Sequence, residues 1–141
     1  MKTAVYLSLV LLINGCASVT NKPNDIVKIE FSSLTRGHSR NIIFTKDSVI
    51  SSVEGREASP KKEKRLNAEE WQRLVGSLKN LALNEITDLQ SPTMKRAYDG
   101  AMHSTIVIAT SDRETFSHSF DDEDPHEKLK PLMKVIHELN D

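Results

Sequence analysis

The chain has 141 residues, with 19 basic and 20 acidic side chains and a formal net charge of −1. This length fits a single domain with a modest core. The near-neutral charge argues against a nucleic-acid binder, which would present a strongly basic face. Aromatic residues are only 5% of the chain, and a single cysteine leaves no internal disulfide. We therefore expect no nucleic acid among the partners and no cofactor.

The first fifteen residues, MKTAVYLSLVLLING, have the form of an export signal. Lys2 is the one positive charge, and an uncharged, mostly apolar stretch follows it from residue 4 to residue 13. That stretch is too short to cross a bilayer, which needs about 20 apolar residues. A buried core helix is the alternative, but a helix without a polar face would need a large core to receive it. The pattern predicts a signal peptide over residues 1–15.

The end of this stretch, Ile13-Asn14-Gly15-Cys16, resembles the lipobox of bacterial lipoproteins. In that motif an aliphatic residue stands three places before the cysteine, a small residue stands directly before it, and the cysteine becomes the mature N-terminus. The resemblance implies that Cys16 is lipidated on its thiol and on its amine, and two or more chains anchor a protein stably. The membrane is therefore an expected partner.

The residues after Cys16 bear on location. In Gram-negative lipoproteins an aspartate directly after the cysteine favours the inner membrane, so Ala17 implies the outer membrane, facing the periplasm. Residues 17–25, ASVTNKPND, are polar and predict a tether that reaches roughly 30 Å when extended. The lipidated cysteine and tether thus occupy residues 16–25, and a single domain occupies residues 26–141.

Alternating and turn-rich segments predict strands in the first part of this domain. Residues 26–32, IVKIEFS, place Val27, Ile29 and Phe31 on one face of a half-buried strand. Residues 36–39, RGHS, predict the turn that follows it.

A hairpin is expected next. The apolar segments 41–45 and 48–53 flank a two-residue link. Residues 55–66 are polar and rich in lysine, and predict a loop that leads into an edge strand with Leu66 as its core anchor.

The first helix has the clearest local signal in the chain. Asn67 is followed three places later by Glu70, which is the pattern of a capping box. Apolar residues then fall on one helical stripe, with Trp71 as the largest. They are Trp71, Leu74, Val75, Leu78 and Leu81.

The next segment, residues 82–100, is irregular, and we expect Leu83, Ile86 and Leu89 to cover the edge of the sheet. A second hairpin is predicted from residues 104–110 and 114–120.

The last helix is expected to begin with Asp124 as its cap, Pro125 at its first position and Glu127 as the capping-box partner. Pro131 should either kink this helix or split it into a short turn and a main body. The apolar stripe consists of Leu129, Leu132, Met133, Ile136 and Leu139.

The two helical stripes match place for place at a separation of 58 residues, which indicates either a weak hairpin-and-helix repeat or the ordinary spacing of amphipathic helices. The predicted fold is α+β. It has an antiparallel sheet of five to six strands with two helices on one face, in the order β-β-β-(β)-α-β-β-α. The expected core anchors are Trp71, Leu74, Leu78, Leu132 and Ile136.

The densest group of potential metal ligands is the run HSFDDEDPH, with His118, Asp121, Asp122, Asp124 and His126 as candidates. Hard cations bind several carboxylates, and zinc sites mix histidine with carboxylate. The spacing matches no metal-binding loop, and helix capping accounts for the same residues. We favour the structural interpretation over a metal site.

His118 has the strand parity of Phe116 and Phe120, so we expect it to be a neutral, hydrogen-bonded core residue near Ser104 or Ile106. The basic run KKEKR, residues 61–65, fits either contact with anionic lipid headgroups or protection of an edge strand by charge. We favour edge protection.

No motif for a nucleophile or a phosphate loop is present. The leading hypothesis is a non-catalytic envelope lipoprotein that binds a protein or another envelope component through its sheet or through residues 82–100. An inhibitor of an envelope enzyme is one form of it. The alternative is a small metal-dependent or hydrolytic enzyme centred on His118 and residues 121–126.

Overall fold

The computed structural model describes residues 26–141. The predicted signal peptide, Cys16 and the predicted tether lie outside the described residues. The strands are β1 (Ile26–Thr35), β2 (His38–Thr45), β3 (Ser48–Gly55), β4 (Ser59–Arg65), β5 (His103–Thr110) and β6 (Thr115–Asp121). The helices are α1 (Ala68–Gly76) and α2 (Lys130–Asn140), with short 3₁₀ helices at Leu83–Asp88, Lys95–Tyr98 and Glu127–Leu129.

The six strands form one antiparallel sheet in the order β4-β3-β2-β1-β5-β6. β1 is central because the meander β1 to β4 extends on one side of it and the hairpin of β5 and β6 joins the other side. β4 and β6 are the edges. The predicted α+β fold is confirmed, with six strands and the predicted element order.

The core lies between one face of the sheet and the two helices. Buried residues of the central strands include Ile29, Phe31, Ile42, Ile106 and Ile108. Every residue of both predicted helical stripes is buried against them, including the five expected anchors. Within residues 26–141, no helix has the length and apolar character needed to span a bilayer.

One residue of β1 does not face the core as expected. Val27 is 44% exposed, whereas Ile26 is buried. The pairing with β5 shifts between Ile26 and Lys28, so one extra residue bulges there and reverses the parity at the start of the strand. Alternation along a strand cannot reveal such an insertion.

α1 begins as predicted, with both hydrogen bonds of the capping box. The Asn67 Oδ1 accepts from the backbone N–H of Glu70 at 2.9 Å, and the Glu70 carboxylate accepts from the N–H of Asn67 at 2.9 Å. These bonds satisfy two of the N–H groups that a helix start leaves without partners.

The predicted start of the last helix is wrong. Asp124 caps no helix: its N–H donates to Asp121, and its carboxylate lies 3.1 Å from Lys130 Nζ. His126 takes the capping role, since its Nδ1 accepts from the N–H of Lys128 at 3.2 Å. The sequence has the spacing of a capping box. Asp124, however, lies in the bend that follows β6 and not at the start of a helix.

Pro131 splits the last helix, as one of the two expected outcomes. A 3₁₀ turn at Glu127–Leu129 comes first, and α2 then begins at Lys130, with Pro131 in its first turn. Proline is tolerated there because the N–H it lacks would have no helical partner. α1 has no such 3₁₀ turn before it, so the 58-residue correspondence extends to the stripes and not to the helix starts.

Candidate functional site

The sheet has two ends of different character. β1 starts at Ile26, and its ten residues carry the chain roughly 30 Å to the far end of the sheet. At that far end Leu34 pairs with His103, and His103 pairs with Asp121. Residues 91–100, named here the tip loop, lie beside this end, because Asp99 forms an ion pair with Arg36 directly after β1.

A buried carboxylate holds the tip loop in place. Asp121 is 3% exposed, and its carboxylate accepts from the hydroxyl of Thr93, from the backbone N–H of Lys95 at 2.6 Å and from the N–H of Arg96 at 3.2 Å. Nη1 of Arg96 donates to it as well, at 2.7 Å. One side chain therefore fixes three residues of the loop.

These contacts determine the charge state of Asp121. Burial alone would raise the pKa of this carboxyl, but the hydrogen bonds from Thr93, Arg96 and the N–H of Lys95 outweigh it and hold the pKa well below 3.8. Asp121 is thus ionised at neutral pH, and its charge is matched by an Arg96 side chain that is only 13% exposed.

Further hydrogen bonds close the loop on itself. Arg96 Nη1 also donates to the carbonyl of Thr93 at 3.0 Å and to the hydroxyl of Ser91 at 3.1 Å. The N–H of Gly100 donates to the carbonyl of Lys95 at 3.0 Å. A loop with this many internal bonds has little conformational freedom left to lose.

The tip loop nevertheless presents apolar side chains to solvent. Tyr98 is 86% exposed, Met94 is 57% exposed, and Leu34 at the end of β1 is 58% exposed. We name these three residues the tip surface. Tyrosine and methionine are enriched where proteins bind one another.

The acidic run does not form a metal centre in the described part of the chain, where no three histidine, cysteine or acidic side chains are placed to hold an ion. Its members are dispersed among separate contacts. Asp122 accepts from the N–H of Met102 at 2.9 Å, and Glu123 pairs with Arg40 at 3.1 Å. Asp121 binds the tip loop, and Asp124 and His126 have the contacts given above.

His118 is a core residue, as expected, and lies opposite Ile106 on β5. It is 4% exposed, and its ring stacks on Phe120 with 5.7 Å between centroids. Burial is the main cause that lowers its pKa, and electrostatic interaction with His126 and Arg96 lowers it further. Its Nε2 is buried without a hydrogen-bond partner within residues 26–141.

The uncovered face of the sheet is the other surface that we considered for binding. Ser32, Asn41 and Thr105 align across its centre, and Thr105 bonds to Ser119 at 3.1 Å. The side chains here are half-buried and flat, and none protrudes as Tyr98 does.

Sequence analysis named residues 82–100 as a binding segment but missed the residues that order it. The alternation along β6 places Asp121 on the face opposite Phe120, so it predicts an exposed carboxylate. The carboxylate is buried because the tip loop packs over it and donates hydrogen bonds from Thr93, Lys95 and Arg96. The pairing of Asp121 with Arg96, 25 residues apart, has no local signal.

Comparison of the chain with family models, with curated proteins and with solved structures found no match.

Proposed function

We propose that this chain is a membrane-anchored, non-catalytic binding module of the bacterial cell envelope, and that it contacts a protein partner through the tip surface. The observation that carries the proposal is the combination of an ordered loop with exposed apolar side chains. Tyr98 is 86% exposed on a loop whose backbone is held by a buried carboxylate.

Preorganisation is the physical argument. A loop that is already fixed before binding loses little entropy on association, which strengthens binding without additional contacts. A tyrosine adds large contact area with few rotatable bonds. The ion pair of Arg36 and Asp99 is highly exposed and contributes little, so Asp121 provides most of the order.

The position of the tip surface is consistent with anchoring. The chain enters the sheet at Ile26, and the tip surface lies at the opposite end of β1. If Cys16 carries lipid, as its lipobox resemblance implies, a ten-residue tether leads to the near end of the domain and leaves the far end accessible. An inhibitor that inserts the tip loop into the cleft of an envelope enzyme would be one form of this function.

Site-specific photocrosslinking in cells tests the tip surface. A photoreactive phenylalanine is placed at Tyr98 in the full chain, and a matched control carries it at Lys134, whose side chain is 78% exposed on α2. We expect a discrete adduct from position 98 only, and its loss when Met94 and Leu34 are changed to serine. No adduct at position 98, or the same adducts from both positions, would contradict the proposal.

The anchor is tested separately. Cys16→Ser should abolish membrane association and leave an unprocessed precursor in fractionated cells. If the variant matures and still sediments with membranes, the proposed lipidation of Cys16 is wrong, whatever the crosslinking result.

A further inference from the structure

We propose that residues 82–90, named here the edge cover, form an acid-operated cover of the sheet, in which protonation of His118 releases the cover and exposes the edge of β6. This proposal concerns the domain alone and does not depend on the partner or the anchor proposed above.

The edge cover packs against β6, the strand that carries the buried His118. The 3₁₀ helix Leu83–Asp88 packs on β6 and buries Leu83 and Ile86 in the core. The backbone of Leu89 lies close enough to the His118 ring to act on its pKa, and it partly opposes the effect of burial. The cover is therefore in direct contact with the group that titrates.

The closed cover has no place for a protonated ring. Nε2 of His118 has no partner among the described residues, so a proton there would be a buried donor without an acceptor. The charged groups that act on the ring are Arg96, from the tip loop, and His126, from the segment after β6. Both lower the pKa of the His118 ring and so disfavour its protonation.

The nearest carboxylate does not relieve this conflict. Asp121 is already committed to Arg96 at 2.7 Å and to backbone N–H groups of the tip loop. A charged His118 thus gains no counter-ion in the closed state, whereas water in an open state solvates it freely.

The edge cover has neither an α-helix nor strand pairing to hold it. It consists of one short 3₁₀ helix and flanking turns, whose hydrogen bonds are weaker than those of an α-helix. Only a few of its side chains reach the core, and such regions open at a lower free energy than the central strands. Because Asp121 stays ionised in mild acid, the tip loop remains attached while the edge cover leaves.

The direction of the pH dependence follows from the lowered pKa of His118. The closed state is fully favoured above the ordinary histidine pKa of 6.5, and this preference is lost as the pH falls through the lower pKa of the closed state. At pH 5 an opened histidine of pKa 6.5 can favour opening by up to about 30-fold.

Hydrogen exchange measured by mass spectrometry on the full chain at pH 7.5 and pH 5.0 tests this. Protection factors, which correct for the intrinsic pH dependence of exchange, should fall by up to about 30-fold in residues 82–90 and stay constant in β5 and α2. His118→Phe keeps a ring against Phe120 and removes the titration, so its protection should be independent of pH. His103→Gln, which removes an exposed histidine of β5, is the matched control and should retain the wild-type response.

Two results would overturn the proposal. One is unchanged protection of residues 82–90 in the wild type between the two pH values. The other is an equal fall in β5 and α2, because acid would then unfold the domain as a whole. If His118→Phe fails to fold, His118→Gln replaces it as the non-titrating variant, and a pH response that persists there also contradicts the proposal.

Discussion

β4 and β6 are the two edges of one sheet, and they are protected in different ways. β4 is the outermost strand on its side of the sheet, and the side chains of its lysine-rich segment, residues 61–65, are exposed, with Lys64 Nζ donating to the carbonyl of Leu139 at 3.4 Å. β6 carries His118 and Phe120 on its core face and is covered by the 3₁₀ helix Leu83–Asp88. Charge and an early proline discourage strand pairing at β4, whereas β6 is protected by physical coverage.

The difference follows from what each edge has to bury. The side chains of residues 60–65 are exposed on both faces of the strand, so β4 adds little to the core and needs no cover. β6 contributes Phe120, which is fully buried, and an open edge beside it would admit water to the core. A charged edge strand therefore stays soluble without a covering segment, whereas an edge strand with apolar residues needs another segment to cover it. Only at the covered edge, therefore, can a segment move away and expose the strand, as we propose for residues 82–90.

The largest loss of stability is expected from a change in the hydrophobic core, which the whole sheet shares. Trp71 lies on the core face of α1 and is 3% exposed. Trp71→Ala should lower the free energy of unfolding by about 3–5 kcal/mol. Urea denaturation measures this, and hydrogen exchange should show that β4 and β6 lose protection together. A loss confined to one edge would contradict a common core.

The second prediction separates the two edges. Ile86 is the fully buried side chain of the edge cover itself, so Ile86→Ala should cost about 2–5 kcal/mol. Lys62→Ala on the bare edge is the matched control and should change stability by no more than about 0.5 kcal/mol. Similar losses of unfolding free energy in the two variants, measured by urea denaturation, would mean that the two edges are not protected in different ways.

The third prediction concerns the loop next to the covered edge. Asp121→Asn removes the anion that Arg96 and the N–H groups of the tip loop share, so exchange protection of residues 93–97 should fall. Asp122→Asn is the control, because its amide oxygen can still accept from the N–H of Met102. A tip loop that stays protected in Asp121→Asn would show that the carboxylate does not order it.

The same variant tests the charge state of Asp121. The pKa of this carboxyl lies well below 3.8 in the folded state, so its stabilisation is complete above about pH 3.8 and is lost as the pH falls through the folded-state value. Acid denaturation should therefore be less steep in Asp121→Asn than in the wild type. Identical acid limbs for the two proteins would argue against an ionised, hydrogen-bonded Asp121.

The smallest effects concern the helix starts at the two edges. Asn67→Ala, next to the bare edge, should cost about 0.5–2 kcal/mol because it breaks the capping box of α1. Asp124→Ala, beyond the covered edge, should cost no more than about 1 kcal/mol, because it removes only an exposed ion pair with Lys130. A rescue of Asp124→Ala by serine in thermal melts would instead restore the capping role that the sequence pattern predicted.

The elements that were predictable from sequence are those specified by short-range patterns. The capping box at Asn67, the hairpin of residues 41–53 and both helical stripes follow from spacings of two to four residues. Strand parity also predicted that His118 faces the core near Ser104 or Ile106, and the register of β5 and β6 pairs it with Ile106. Two local predictions failed. Val27 lies at a bulge in β1, which reverses the face that it occupies, and Asp124 lies in the bend after β6 and not at a helix start.

The candidate site was less accessible for a related reason. The irregular composition of residues 82–100 marked a segment that lies over the sheet edge, but composition does not distinguish Asp121 from its acidic neighbours. The exposure of Tyr98 likewise depends on how residues 93–96 are held, and that requires β6 to be folded beside them.

The amino-acid sequence alone determined the kinds of elements, their order and the faces they bury. The reason is that the local spacing of apolar residues identifies the buried face of a strand or helix. It also carries the lipobox resemblance at Cys16, which lies outside the described residues. The tertiary structure alone decided which carboxylate of the acidic run is buried and that β6, unlike β4, is covered. Those outcomes depend on contacts between residues more than twenty positions apart, such as Asp121 with Arg96, and no local pattern encodes such a distance.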